Sequence, residues 1–300
     1  MKYHDKFGFL NIKESFDFDG GKIDTVEEFD TSREWIYKYE NSDGFIYPPQ
    51  ERQIKINSIA SNEIEDIPHT TRPALIHKLP NSHSIHLVSA CNKDLSRNNH
   101  SGFIVHLLSY LYGTRLQFDG WWFDGRVPIK PTHNFSVRKC VTEDFLSKSY
   151  STYKEWSAEH RAWFLNILIM HSRAPLYEWD WERFSMEYMV FDGLYRLASE
   201  IHGPQKGIRH KDRFCFIFDK YGIPSNDGLV DEIYSLRNGL FHQALWNGGQ
   251  PCSDSDAIYS QLHLSRINSH IIPAILGYNN KFVHSPWWTM GRGRFDSDTP

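Results

Sequence analysis

From about residue 152 the apolar positions recur at three- and four-residue spacings. The runs are Tyr153–Ser172, Asp180–His202, His210–Tyr221, Gly228–Trp246 and Asp256–Leu276. That period puts the apolar side chains on one face of a helix. Helix stoppers separate the runs: Pro175, Gly203-Pro204, Gly222 with Pro224, and Gly248-Gly249. Asp180, Asn226 and Asp254 stand where N-caps belong. The pattern predicts a bundle of about five helices whose short links make neighbours antiparallel.

The first 150 residues are patterned differently. Gly, Pro, Asn and Asp break them into short runs with β character: Phe7–Ile12, Glu34–Tyr39, Gln53–Ile59, Ala74–Leu79 and Ser84–Ser89. One helix is expected over Gly102–Tyr112, stopped by Gly113. Leu116–Phe118 follows, and Trp121–Gly125 has the form of a strand entering a turn. The expected fold class is α+β. A mixed α+β domain covers 1–150, with a role in substrate recognition or sensing; an all-α bundle covers 151–280; an arm over 281–300 packs Trp287 and Trp288 on the body.

Composition narrows the partners. A net charge of -4 supplies no global positive field for coating a long duplex, so any nucleic-acid chemistry must come from a local site. Cys91, Cys140, Cys215 and Cys252 are far apart and form no CxxC pair, which fits neither a zinc knuckle nor a disulfide framework. No apolar run approaches the ~20 residues of a membrane span, and the first residues do not read as a signal peptide. A cytoplasmic protein without a cofactor or metal is expected.

The informative segment is Asp231–His242, DEIYSLRNGLFH. Arg72/His77, Arg126/His133 and Arg196/His202 show comparable Arg–His spacing, so spacing alone decides nothing. Context does: prolines interrupt the first two pairs, and His202 ends its helix beside Gly203-Pro204. Arg237 is followed by Asn238 inside a periodic helix. These residue types suit RNA cleavage without a metal. A histidine near neutrality serves as acid or base, and a guanidinium stabilises charge on the phosphorane oxygens. Asn238 and His242 share a helix face. Arg237 is turned about 140° from His242 in a straight helix, an offset that argues for a site assembled from two chains.

Arg237-Asn238-x-x-x-His242 resembles the motif of the HEPN superfamily, over roughly residues 180–280. The resemblance implies a helical bundle, a homodimer pairing through it, and an endoribonuclease leaving 2′,3′-cyclic phosphate ends. His242 would be the acid/base, Arg237 the transition-state clamp and Asn238 the positioning group. It further implies RNA as partner, a setting in phage defence or a toxin system, and an inhibitor that the residues do not name. Some HEPN modules only dimerise or sense nucleotides, which is the alternative. One antitoxin-controlled group carries a Tyr two residues after the His; here that position is Ala244, so control through that Tyr is not expected.

Other features carry less. Arg209, His210, Lys211 and Arg213 form a short basic cluster suited to steering an RNA backbone, or to a solvated loop. His83-x-x-His86 lies on a strand, where the spacing sends the rings to opposite faces rather than to one metal. Trp121, Trp122 and Phe123 suit a buried contact better than base stacking, and Trp179 and Trp181 are expected between helices.

Overall fold

The computed structural model describes all residues except 1, 47–48, 51–53, 57–63, 67–69, 74–75, 89–93, 133–134, 204–207, 250–255, 290–292 and 299–300. It is a mixed α+β protein, with eight α-helices and a small antiparallel sheet among the described residues.

The sheet joins β1 (Lys2–Gly8), β2 (Phe16–Phe18), β3 (Gly21–Thr25), β4 (His83–Val88) and β5 (Gln117–Phe118) in the order β5-β1-β4-β3-β2. Helix α1 (Phe29–Lys38) lies between β3 and β4 in the chain. The pairs Phe7↔His83 and Ile85↔Ile23 share the buried face, while His4↔His86 and His86↔Lys22 share the solvent face. His83 and His86 therefore diverge, as the strand period requires. The His83 ring lies buried against Ser82 Oγ (2.9 Å) and the Glu14 carbonyl (3.1 Å), while His86 stacks on His4 outside.

On the buried face lies α2 (His100–Leu111), all twelve residues of which are buried. A helix apolar on every side is one enclosed by other elements. Gly113 ends it with φ +56°. Gly102 is needed for a different reason: a Cβ there would meet the Arg97 carbonyl oxygen at 1.9 Å. Arg97 bonds both carboxylate oxygens of Asp5 on β1 (2.6 and 2.7 Å), tying the start of α2 to the sheet.

Helices α3 (Lys139–Glu155), α4 (Ala158–Arg173), α5 (Asp180–His202), α6 (His210–Tyr221), α7 (Asp227–Gln243) and α8 (Asp256–Ile275) follow. α4 packs on α2, α5 on both α4 and α8, and α6 and α7 complete the outer side. One hydrophobic core runs from Phe7 and Ile85 through Phe103 and Phe145 to Phe191, Ile233 and Trp287. The boundary expected near residue 150 falls inside α3, whose Tyr150 meets Phe18 of β2 edge-on.

Several segments differ from expectation: Phe7–Ile12 is strand only as far as Gly8, and the run Tyr153–Ser172 is split at Trp156 and Ser157 between α3 and α4. Glu34–Tyr39, expected as a β-type run, belongs to α1, whose buried Phe29, Ser32 and Ile36 follow a helical period that begins before residue 34. Helix α3 covers 139–152, to which no element was assigned, and reaches into the run expected from Tyr153. Its Ser, Thr and Val content lowers helix propensity, but burial of Val141, Phe145, Leu146, Ser149, Tyr150 and Tyr153 on one face outweighs that. Asn226 caps α7 as expected, accepting from the Leu229 N–H at 3.3 Å. Trp179 rather than Asp180 occupies the N-cap position of α5. Asp254 and parts of the expected strands Gln53–Ile59 and Ala74–Leu79 lie outside the described residues. Trp287 is buried, its indole N–H donating to the Pro224 carbonyl at 2.8 Å. Trp122, Trp179 and Trp181, expected to be buried, are exposed. No helix among the described residues is long and apolar enough to cross a membrane.

Candidate active site

Helix α7 fully buries only Val230 and Ile233, with Leu229, Leu236 and Leu240 packed partly buried against the core. Its last turns carry Arg237, Asn238 and His242, followed by Ala244 in the left-handed region. The Arg237 guanidinium is the hub. Nη1 donates to Asn238 Oδ1 at 3.0 Å and to His242 Nε2 at 2.8 Å. Nη2 donates to His210 Nε2, on the first turn of α6, at 3.3 Å.

These distances correct an expectation. The backbone offset of about 140° between Arg237 and His242 was to keep them apart within one chain. The long arginine side chain spans the offset, so this argument for a two-chain site is removed. Asn238, expected as a positioning group, accepts from the arginine.

Aromatic rings hold the guanidinium from the sides, with its carbon 5.7 Å from the Tyr188 ring centre and 5.5 Å from that of Phe241. Tyr188 and Asp192 sit four apart on α5 and so share a face. Tyr188 Oη lies 3.4 Å and Asp192 Oδ1 3.8 Å from His210 Nδ1. Arg213 donates to Asp192 at 2.7 Å. A cleft of about 350 Å³ lined by Asp192, Tyr195, Arg196, Ser199, Glu200 and Arg213 opens beside the cluster.

Electrostatics separate the two imidazoles. Burial, then the nearby Arg213 and Arg237 cations, hold the His210 ring below the ordinary imidazole value, with Asp192 opposing. Burial also raises the Tyr188 phenol well above its ordinary value, so it stays protonated. His242 is exposed to solvent on α7.

The basic cluster divides. His210 and Arg213 join the motif residues. Lys211 pairs with Asp231 and so fastens α6 to α7, and exposed Arg209, just before α6, pairs with Asp212 in its first turn at 3.1 Å. Tyr188 and Asp192 were not legible as site residues, because they lie on another helix some fifty positions upstream.

Among the described residues no group of three or more His, Cys, Asp or Glu side chains is arranged to hold a metal ion. Cys140 and Cys215 are free and exposed, while Cys91 and Cys252 lie outside the described residues. No protein-family model matches the sequence, and neither a curated protein nor a solved structure matches it.

Proposed function

We propose that the chain is a metal-independent endoribonuclease of HEPN type, cleaving RNA to 2′,3′-cyclic phosphate ends. The observation that carries this is one guanidinium, oriented by Asn238 and flanked by aromatic rings, within hydrogen-bond reach of a solvent-exposed histidine. Such a pair supplies what the reaction needs: proton transfer by His242 and stabilisation of phosphorane charge by Arg237. The cleft that begins at Asp192 and Arg213, beside His210, offers room for a flanking stretch of the RNA.

The test is cleavage of end-labelled structured RNA in EDTA by the full chain, beside His242→Ala and Arg237→Ala. Cleavage by the wild type alone, with cyclic-phosphate ends, is expected. Activity equal in all three would overturn the assignment of both residues.

A second reading has its own observation. Phe241, Leu245, Tyr259 and Leu262 are exposed large apolar side chains at the end of α7 and the start of α8. They favour a module that pairs with a second copy of this chain without catalysis. A chain that sediments as a dimer while leaving RNA intact would favour this scaffold over the enzyme.

A further inference from the structure

We propose that His210 is the second proton-transfer group of this site, acting in the same chain as His242, with Arg237 clamping the phosphate between them. This rests on the ribonuclease reading above and adds to it the missing half of the proton traffic.

The hydrogen bonds of Arg237 fix the tautomers of both rings. A guanidinium only donates, so each nitrogen it bonds must present a lone pair. Arg237 bonds Nε2 of both His242 and His210, which places the ring proton of each neutral imidazole on Nδ1. For His210 that Nδ1–H faces Tyr188 Oη and Asp192 Oδ1. A carboxylate 3.8 Å behind Nδ1–H, with an Nε2 lone pair that is released when Arg237 turns to a phosphate, favours the working tautomer of a general base. Nothing in the packing of α6 demands a histidine there, because its core contacts come from Phe214, Ile217 and Phe218.

The surroundings divide the labour. His210 faces Asp192 and Tyr188 from α5, Arg213 from its own helix, and Arg237 and His242 from α7. The two arginines and partial burial favour its neutral form, the form a base requires. His242 stands in solvent and is left to face the leaving oxygen once Arg237 turns from it to a phosphate.

The step then balances. His210 Nε2 takes the proton of the 2′-hydroxyl, and O2′ forms a bond to phosphorus. The P–O5′ bond breaks, and protonated His242 gives its proton to the departing O5′. The products are a 2′,3′-cyclic phosphate and a 5′-hydroxyl; His210 then releases a proton to water and His242 regains one.

The experiment compares the wild-type chain with His210→Gln, His210→Asn and His242→Ala on the same end-labelled RNA in EDTA, from pH 5 to 9. Both His210 variants are expected to lose about 10²–10⁴-fold in rate. They should also lose the acid limb of the pH profile, which in the wild type should lie below the ordinary imidazole value of about 6.5. Mixing His210→Gln with His242→Ala should restore nothing. If the wild type cleaves and His242→Ala does not, while the His210 variants keep rate and acid limb, this proposal falls alone. Restored cleavage on mixing would place the two histidines in different chains and overturn it. If the wild type leaves the RNA intact, the ribonuclease reading falls and takes this one with it. Imidazole ¹⁵N shifts of the wild-type chain need no variant: His210 protonated on Nδ1 is expected, and protonation on Nε2 would overturn the tautomer argument.

Discussion

Glu187 and Tyr188 are consecutive on α5, yet each belongs to a different polar cluster. Glu187 is fully buried and turns toward α4 and α8. Its carboxylate accepts from Asn268 Nδ2 at 2.7 Å and Ser265 Oγ at 3.0 Å, with His171 Nδ1 at 3.0 Å. Asn268 also donates to the Glu187 carbonyl at 2.8 Å. Tyr188 turns the other way, to the rim where Arg237 meets two histidines. Both clusters combine a charged group with imidazole, but the first is enclosed and the second is open. In the interior both oxygens of the carboxylate are bonded, so the network fixes how α4, α5 and α8 meet. At the rim the guanidinium donates only to groups that an incoming phosphate can replace. Enclosure makes a polar cluster part of the fold; access makes one available for chemistry.

The largest effect that would sharpen this contrast comes from the interior in acid. Burial pushes His83, His106 and His270 down to about 4. Their folded values lie below the unfolded value of about 6.5, so the unfolded chain binds more protons as pH falls between the two. Stability is therefore full above pH 6.5 and lost toward pH 4, by about 3 kcal/mol for each ring at pH 4. Denaturant melts at pH 7, 5.5 and 4 should show a steep fall. A flat profile would mean these rings are not held neutral by burial.

Next comes Glu187→Ala. It leaves a cavity and strips partners from Asn268, Ser265 and His171 at once, with an expected loss of about 3–5 kcal/mol in the denaturant midpoint. A loss below 1 kcal/mol would erase the distinction drawn between the two clusters.

The Asp5–Arg97 pair is intermediate in burial and should be intermediate in effect. Burial alone would raise the Asp5 carboxyl, but hydrogen bonds from Arg97 and Tyr3 outweigh it and hold the group below its usual range. Arg97→Met should cost about 2 kcal/mol, read from the same melts. Because the folded Asp5 value is lowered, the pair's contribution should fade as pH drops through it.

How much of this could be read from residues alone depends on distance along the chain. The period of Asp180–His202 and His210–Tyr221 gave those helices to the residue, because amphipathic spacing and a Gly or Pro stop are local signals. Helix α3 escaped because Ser, Thr and Lys interrupt its apolar positions Val141, Phe145, Leu146, Tyr150 and Tyr153 and lower its helix propensity. The motif residues Arg237, Asn238 and His242 were legible because they share one helix. His210 was visible only as one cation in a basic run. Its place beside Arg237, and the roles of Tyr188 and Asp192, depend on how α5, α6 and α7 pack. A local pattern does not encode that packing.

The smallest effect on stability is expected at the rim, and there the contrast is most exposed to failure. Arg237→Ala removes three hydrogen bonds and two aromatic contacts, all at or near the surface. Asn238, His242 and His210 can each turn to water when the guanidinium goes, so no polar atom among them needs to be stranded. Lost cation–π attraction leaves a cost of about 1 kcal/mol. His242→Ala should cost less, since the ring is exposed and its one partner retains Asn238 and His210. Circular-dichroism melts should therefore place both variants close to the wild type, even as the proposed RNA cleavage is lost. A cost of 3 kcal/mol or more for either would make the rim a structural network like the one around Glu187, and would remove the reason for placing catalysis there.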